Sequence, residues 1–260
     1  MMPLKNSAVL ALGFAASAIA QCTREELMAI TDSLLEAQSS GTPDALTPLA
    51  ATVDYSENFE AADIATGILS QPLNLAHNRS IHDTTACATY TELIVTDPSH
   101  PYVLGTQMRL TNGEVSKIET IVTDQDDWLF NATGTYYWAS RENWSVIPEE
   151  DRDTREVIQA AGDAYCDLFN DKSVTVPWGT PCARLEGGIY TGNGSSTDRC
   201  DVGVPDGVAL VNRRYVIDET MGTVSIFMTF ATIPDSHEFR VEKGKLRWAG
   251  THPTCQKKVS

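Results

Sequence analysis

Acid–base chemistry needs a carboxylate, phenol or imidazole held beside a group that shifts its proton affinity, and several spacings in this chain supply such pairs. Tyr55 and Glu57 stand two apart in an extended segment and share a face, as do Arg184 and Glu186. A carboxylate beside a phenol in an apolar pocket can have a raised pKa and donate a proton to a leaving hydroxyl. The guanidinium groups of Arg184, Arg213 and Arg214 can clamp two neighbouring oxygens of a ligand bidentately. His82 and Asp83 form an adjacent dyad, but on a strand such neighbours point to opposite faces, so only one of them enters a pocket. Trp128, Tyr136, Trp138 and Trp178, with Trp248, are candidates to stack on a flat ring or line an apolar hole. Each set also has a plain structural reading. Arg184–Glu186 and Arg214–Asp218 can be ion pairs that brace strands, Asp83 and Asp218 can cap loops or pair with Arg109 and Arg240, and the tryptophans can be core or lid.

Other chemistries lack their motifs. The sequence has no G-x-S-x-G elbow, H-E-x-x-H, P-loop or G-x-G-x-x-G. The histidines His77, His82, His100, His237 and His252 show no metal-ligand spacing, so neither metal nor cofactor is expected. With 19 Lys and Arg against 35 Asp and Glu, the net charge of −16 argues against nucleic acid and anionic membrane partners. A hydrophobic small molecule is the expected ligand, and a homodimer is left open.

Two helical patterns position these groups. The first runs from about Thr23 to Ser39, with Thr23 and Glu26 as a capping box, Leu27, Ile30, Leu34 and Leu35 as its stripe, and Gly41 and Pro43 as its stop. The second runs from about Asp153 to Asn170, with Val157, Ile158, Ala161, Tyr165, Leu168 and Phe169 on one face. Turn-rich, strand-like sequence follows each, and the two stretches align. Glu57 matches Glu186, Asp83 matches Asp218, and Arg109 to Val115 matches Arg240 to Leu246, with Asn112-Gly113 and Lys243-Gly244 as hairpin turns. Each unit reads as a helix laid on a curved antiparallel sheet of three long strands, a cone with an apolar pocket. The expected fold class is therefore α+β, with two tandem cone-shaped domains forming a pseudo-dimer. The divisions are a signal peptide at 1–20, a first cone at 21–123, an aromatic-rich linker at 124–152 and a second cone at 153–260. The linker carries too much aromatic surface to be a mobile tether and is expected to pack on a domain or roof a pocket.

The N-terminus predicts a secretory signal: Lys5, an apolar run from Ala8 to Ala16, and Ala18-Ile19-Ala20 before Gln21. Secretion or a secretory-pathway lumen is the expected location. Cys22, Cys87, Cys166, Cys182, Cys200 and Cys255 then suggest three disulfides with fifteen possible pairings, of which Cys182–Cys200, flanking a Gly/Ser-rich stretch, is favoured. Asn78, Asn131, Asn143 and Asn193 are sequons for glycosylation.

The helix, the Tyr-x-Glu-Asn segment at Tyr55 to Asn58 and the strands ending in an Asn-Gly hairpin resemble the nuclear-transport-factor-type cone fold, a superfamily of polyketide cyclases, ketosteroid isomerase and dehydratases. The stretches His82 to Cys87, Pro101 to Thr106, Pro177 to Gly188 and Asn212 to Glu219 resemble a family of secreted fungal proteins of unknown function. Some of its members are similar to the hetero-Diels–Alderases of fungal tropolone–sesquiterpenoid pathways, which dehydrate a hydroxymethyl tropolone to a quinone methide and join it to humulene. The resemblance implies a cofactor-independent lyase or cyclase of secondary metabolism. It carries over no catalytic residue, and a secreted binding or effector-like protein is the alternative.

Overall fold

The computed structural model of the chain describes residues 22–251. The capping box forms as expected: Glu26 N donates to Thr23 Oγ1 at 3.1 Å and Thr23 N donates to the Glu26 carboxylate at 2.8 Å. Helix α1 (Arg24–Ser40) starts there and ends on Gly41, whose φ of 64° is open to a residue without a Cβ. It buries Leu27, Ile30, Leu34 and Ala37, while Leu35 is half-buried against a side cluster. The strands that follow are β1 (Leu49–Glu57), β2 (Glu60–Ala61), β3 (His77–Asp83), β4 (Ala88–Val95), β5 (Tyr102–Thr111) and β6 (Glu114–Thr123). They form one sheet in the order β2-β1-β6-β5-β4-β3.

After α2 (Ala132–Ala139) and α3 (Arg155–Asp167) the same pattern returns. Strands β7 (Trp178–Glu186), β8 (Ile189–Tyr190), β9 (Leu210–Asp218), β10 (Thr223–Phe230), β11 (Ile233–Glu242) and β12 (Lys245–Thr251) make a second sheet ordered β8-β7-β12-β11-β10-β9. The aligned residues occupy equivalent places. Glu57 and Glu186 end β1 and β7, Asp83 and Asp218 end β3 and β9, and the two dipeptides turn the β5–β6 and β11–β12 hairpins. Helix α1 packs on β3 and β4, and α3 packs on β9, β10 and β11, so each half is an α+β cone. Three details differ from expectation. The sheets are mixed, because β1 runs parallel to β6 and β7 parallel to β12. Hairpin signals specify the β3–β6 meander locally, whereas β1 joins its far edge at long range, where no local signal exists. Finally, α3 stops at Asp167 and leaves Val157 40% exposed, its buried face being Ile158, Ala161, Gly162, Tyr165 and Cys166.

The cones pack through their sheets, with Ile81, Tyr90 and Ile121 of one meeting Val216 and Phe227 of the other. Two reciprocal braces close this interface. Arg24 donates twice to Asp218 at 2.8 and 2.9 Å, and Arg155 donates twice to Asp83 at 2.7 and 2.8 Å. Each aspartate also crosses the interface to a backbone amide: Asp218 accepts from His82 N and Asp83 from Ile217 N, both at 2.9 Å. The structural reading of both aspartates therefore holds, but their partners are Arg155 and Arg24 and not Arg109 or Arg240, because the side chains leave their own cone.

Cys22–Cys87 and Cys182–Cys200 are bonded. Cys166, expected in a third bridge, is a free thiol in the second-cone core with its Sγ 3.9 Å from Met228 Sδ. Cys255, His252 and the signal segment Met1 to Ala20 lie outside the described residues. The sequon residues Asn78, Asn131, Asn143 and Asn193 are all exposed. No helix among the described residues is long and apolar enough to cross a membrane.

Candidate active site in the second cone

The two cones share a frame but differ inside. In the first, Leu34, Tyr55, Leu69, Met108 and Ile118 fill the hollow. The Tyr55 hydroxyl donates to Glu57 Oε1 at 2.5 Å, and the same oxygen accepts from Ile68 N at 2.5 Å. Gly67 lies so close that a Cβ there would fall on this carboxylate. The turn at 67–70 thus plugs the cone. Burial, and then the Glu57 carboxylate, push the Tyr55 phenol well above its ordinary pKa, so it holds its proton. Tyr55 and Glu57, expected as catalytic, are a closed structural pair.

The second cone holds a cavity of about 610 Å³. Helix α3 contributes Tyr165, the turn after it Phe169, β7 contributes Arg184 and Glu186, and β10 and β11 contribute Phe230, Ile233, Asp235 and His237. Trp128 and Leu129 of the inter-cone segment roof it, with Ile189 and the loop residues Gly203 and Pro205 at its sides. Asp235 and His237 stand two apart on β11 and so face the same way. His237 Nε2 lies 2.8 Å from Asp235 Oδ2, and the two side chains are 2% and 3% exposed, respectively. A carboxylate partner takes the hydrogen on Nε2, and in the neutral imidazole Nδ1 is then the accepting nitrogen. Neither His237 Nδ1 nor Asp235 Oδ1 has a protein partner. The imidazole sits among aromatic rings, with centroids 5.4 Å from Tyr165 and 6.0 Å from Phe169. Nearby, Arg184 Nη2 pairs with Glu186 Oε2 at 3.1 Å while its buried Nε has no partner. Burial raises the Tyr165 phenol above its ordinary value, against the opposing pull of Arg184.

The duplication tells which of these groups the fold requires. Counting back from the hairpin turns, His237 corresponds to Thr106 and Asp235 to Leu104. Counting from the helix starts, Tyr165 corresponds to Leu34, and from the strand ends Arg184 corresponds to Tyr55. The first cone is stable with threonine, leucine and tyrosine at these places. Burying a histidine, an aspartate and an arginine costs desolvation that an uncharged set largely avoids. Their presence in one cone only, around the cavity, makes that cone the candidate site.

Of the residues expected from sequence, Arg184, Glu186 and Trp128 line this cavity. His82 does not. It lies between β3 and α1, its Nε2 3.0 Å from Thr31 Oγ1, and its pKa falls to about 4 because burial and then Arg24 outweigh Asp218. Arg214 faces the interface, where its Nε sits 3.0 Å from Glu119 and its guanidinium lies 4.2 Å over the Phe59 ring, so the expected Arg214–Asp218 pair is absent. Arg213, on the opposite face of β9, ties down α3 through Asp163 at 2.9 Å and Asp167 at 2.6 Å. Trp138 stacks on Tyr190 at 4.4 Å, Tyr136 lies beside His77, and Trp178 packs edge-on behind Tyr165 at 5.7 Å. These three support walls and the α2 seat without lining the cavity. Asp235, His237 and Tyr165 were not singled out as site residues from sequence. The usable signal was Asp-x-His inside a strand, set against Leu-x-Thr in the other repeat.

Residues 151–252 match a family model described as "Domain of unknown function (DUF8021)". Among solved structures, the chain is similar to a "Putative Isomerase" from Rhodopseudomonas palustris, at 13% identity and a TM-score of 0.30 over 38% of this chain and 90% of that one. It is also similar to an NTF-2 like protein of unknown function from Burkholderia xenovorans LB400, at 15% identity and a TM-score of 0.31 over 47% and 97% of the two chains. No curated protein matches. The stretch that matches the family model is the cone that contains the cavity.

Proposed function

We propose that the second cone is a cofactor-independent lyase or cyclase site that applies acid–base chemistry to an oxygen-bearing, largely apolar small molecule. The observation that carries the reading is the buried Asp235–His237 pair at a cavity whose counterpart in the first cone is filled and plugged. A volume of about 610 Å³ suits a drug-sized ligand. Asp235 holds the imidazole tautomer, His237 Nδ1 accepts a proton, and Arg184 steadies the oxygen that becomes negative.

A hydroxymethyl tropolone, the substrate implied by the resemblance, fits these roles. His237 takes the ring-hydroxyl proton and returns it to the hydroxymethyl oxygen as the C–O bond breaks. Water leaves, a quinone methide forms, and the histidine is regenerated. Cycloaddition with humulene then needs only a dry cavity that holds both partners together. The two disulfides support a secretory, oxidising compartment for this work.

The test is incubation of the full protein with both substrates and quantification of the adduct. Adduct above the spontaneous background, falling roughly 10²–10⁴-fold in His237→Gln, is expected. Turnover that survives His237→Gln sinks the assignment of the base. Saturable binding without turnover of either substrate points to a secreted binding protein instead.

A further inference from the structure

The roof of the cavity comes from outside the cone it covers. Trp128 and Leu129 belong to the inter-cone segment, and both line the cavity while remaining 56% and 39% exposed. Their footing is the turn between β7 and β8, which begins directly after Glu186. That turn is Gly187-Gly188, with φ of 54° and 87°. A Cβ on Gly187 would fall on the Leu129 carbonyl oxygen, and a Cβ on Gly188 would lie 2.8 Å from the Asn131 Cβ and carbonyl oxygen. Both glycines are therefore occupied twice over, by a left-handed backbone and by a neighbour that leaves no room for a side chain. Leu129 itself has a φ of 52°, unusual for a residue with a Cβ. Beyond it, Asn131 caps α2 by accepting from Gly134 N at 2.8 Å, and α2 buries Ala132 and Ala139 against Ile94, Val103 and Leu185. One end of the roof is thus anchored in packed helix, with Gly188 under its Asn131 cap, and Leu129 at its tip rests on Gly187.

We propose that Trp128 and Leu129 are the specificity gate of the second-cone cavity, and that the Gly187-Gly188 turn is the seat that sets how far it opens. The inference deepens the reading of this cavity as the ligand site, and it predicts that ligand size is read at the roof and not at the Asp235–His237 wall. A flat ring slides under a seated Trp128, whereas a bulky ligand must lift it.

Thiol labelling tests the gate without any substrate. Phe230→Cys places a thiol in the cavity wall, and its reaction with a bulky maleimide is timed in full-length protein, with the unsubstituted chain as the blank for Cys166. Gly187→Ala in that background unseats Leu129 and the roof with it and is expected to speed labelling at least tenfold. Gly113→Ala is the control, because Gly113 also has a positive φ, 82°, but nothing within 4 Å of its would-be Cβ. Equal labelling rates in the two alanine variants overturn the gate. Ile233→Cys repeats the measurement should the Phe230 variant fail to fold, and it carries the same two outcomes. Failure here leaves adduct formation in the unsubstituted protein intact, whereas failure of the acid–base reading leaves the labelling difference in place.

Discussion

His82 shows how burial can turn an attractive catalytic residue into a structural one. Its neighbour Asp218 lies 4.0 Å from Nδ1, a distance at which a protonated imidazole could pair. The carboxylate is already spent on two bonds from Arg24 and one each from the His82 and Met221 amides, and Arg24 repels a second cation. The ring is therefore neutral at neutral pH, with a folded pKa of about 4 against about 6.5 when unfolded. The unfolded chain binds more protons between these values, so stability is complete above pH 6.5 and is lost as pH falls towards 4. The loss is on the order of 3 kcal/mol if the full difference is realised. His82→Gln keeps a hydrogen-bonding group for Thr31 and removes the titration. Denaturant midpoints measured from pH 7 to 4 should then fall less steeply in the variant. Parallel curves would place the acid sensitivity in the carboxylates. His237, by contrast, is legible in the sequence only once the strand face and the repeat are used together.

At the scale of elements, local signals determine what local structure can show. The Thr23–Glu26 box, the Gly41 stop and both hairpin dipeptides act within a few residues, and each forms where the sequence places it. The cap is testable alone: Thr23→Ala removes the acceptor for Glu26 N and should cost about 1 kcal/mol in chemical denaturation. A loss below a few tenths would show that α1 is held by packing through Leu27, Ile30 and Leu34 rather than by its cap. What stayed hidden depends on long-range contacts. The parallel β1–β6 and β7–β12 pairings and the outward turn of Arg214 are decided by partners dozens of residues away, and the plug at 67–70 by Glu57, eleven residues before Ile68. Alternation on β9 puts Arg214, Val216 and Asp218 on the interface and Arg213 and Tyr215 against α3, a division that could be read from period two once the strand's inner face was known.

The whole molecule behaves as a dimer written in one chain, and its braces follow the symmetry of one. In an isologous interface, a residue of the first unit meets a residue of the second, and the converse pair recurs. Arg24–Asp218 and Arg155–Asp83 are that converse pair, each arginine being the first residue of its helix and each aspartate the last of its strand. Because the aspartates are 1% and 0% exposed, their charges depend on the arginines for compensation. Losing one partner of such a pair usually costs about 3–5 kcal/mol, more than the net value of the pair, since the remaining charge stays buried. Arg24→Met should therefore lower stability by that amount and loosen the interface around Val216 and Ile81. Adding Asp218→Asn should recover more than half of the loss, because the amide removes the stranded charge while still accepting from the His82 backbone. Hydrogen exchange at the His82 and Ile217 amides separates the braces: Arg24→Met should expose the first before the second, and Arg155→Met the reverse. Equal exchange at both sites in either variant would mean that the two braces open as one unit, and that the cones are coupled through Ile81, Tyr90 and Phe227 rather than through their aspartates.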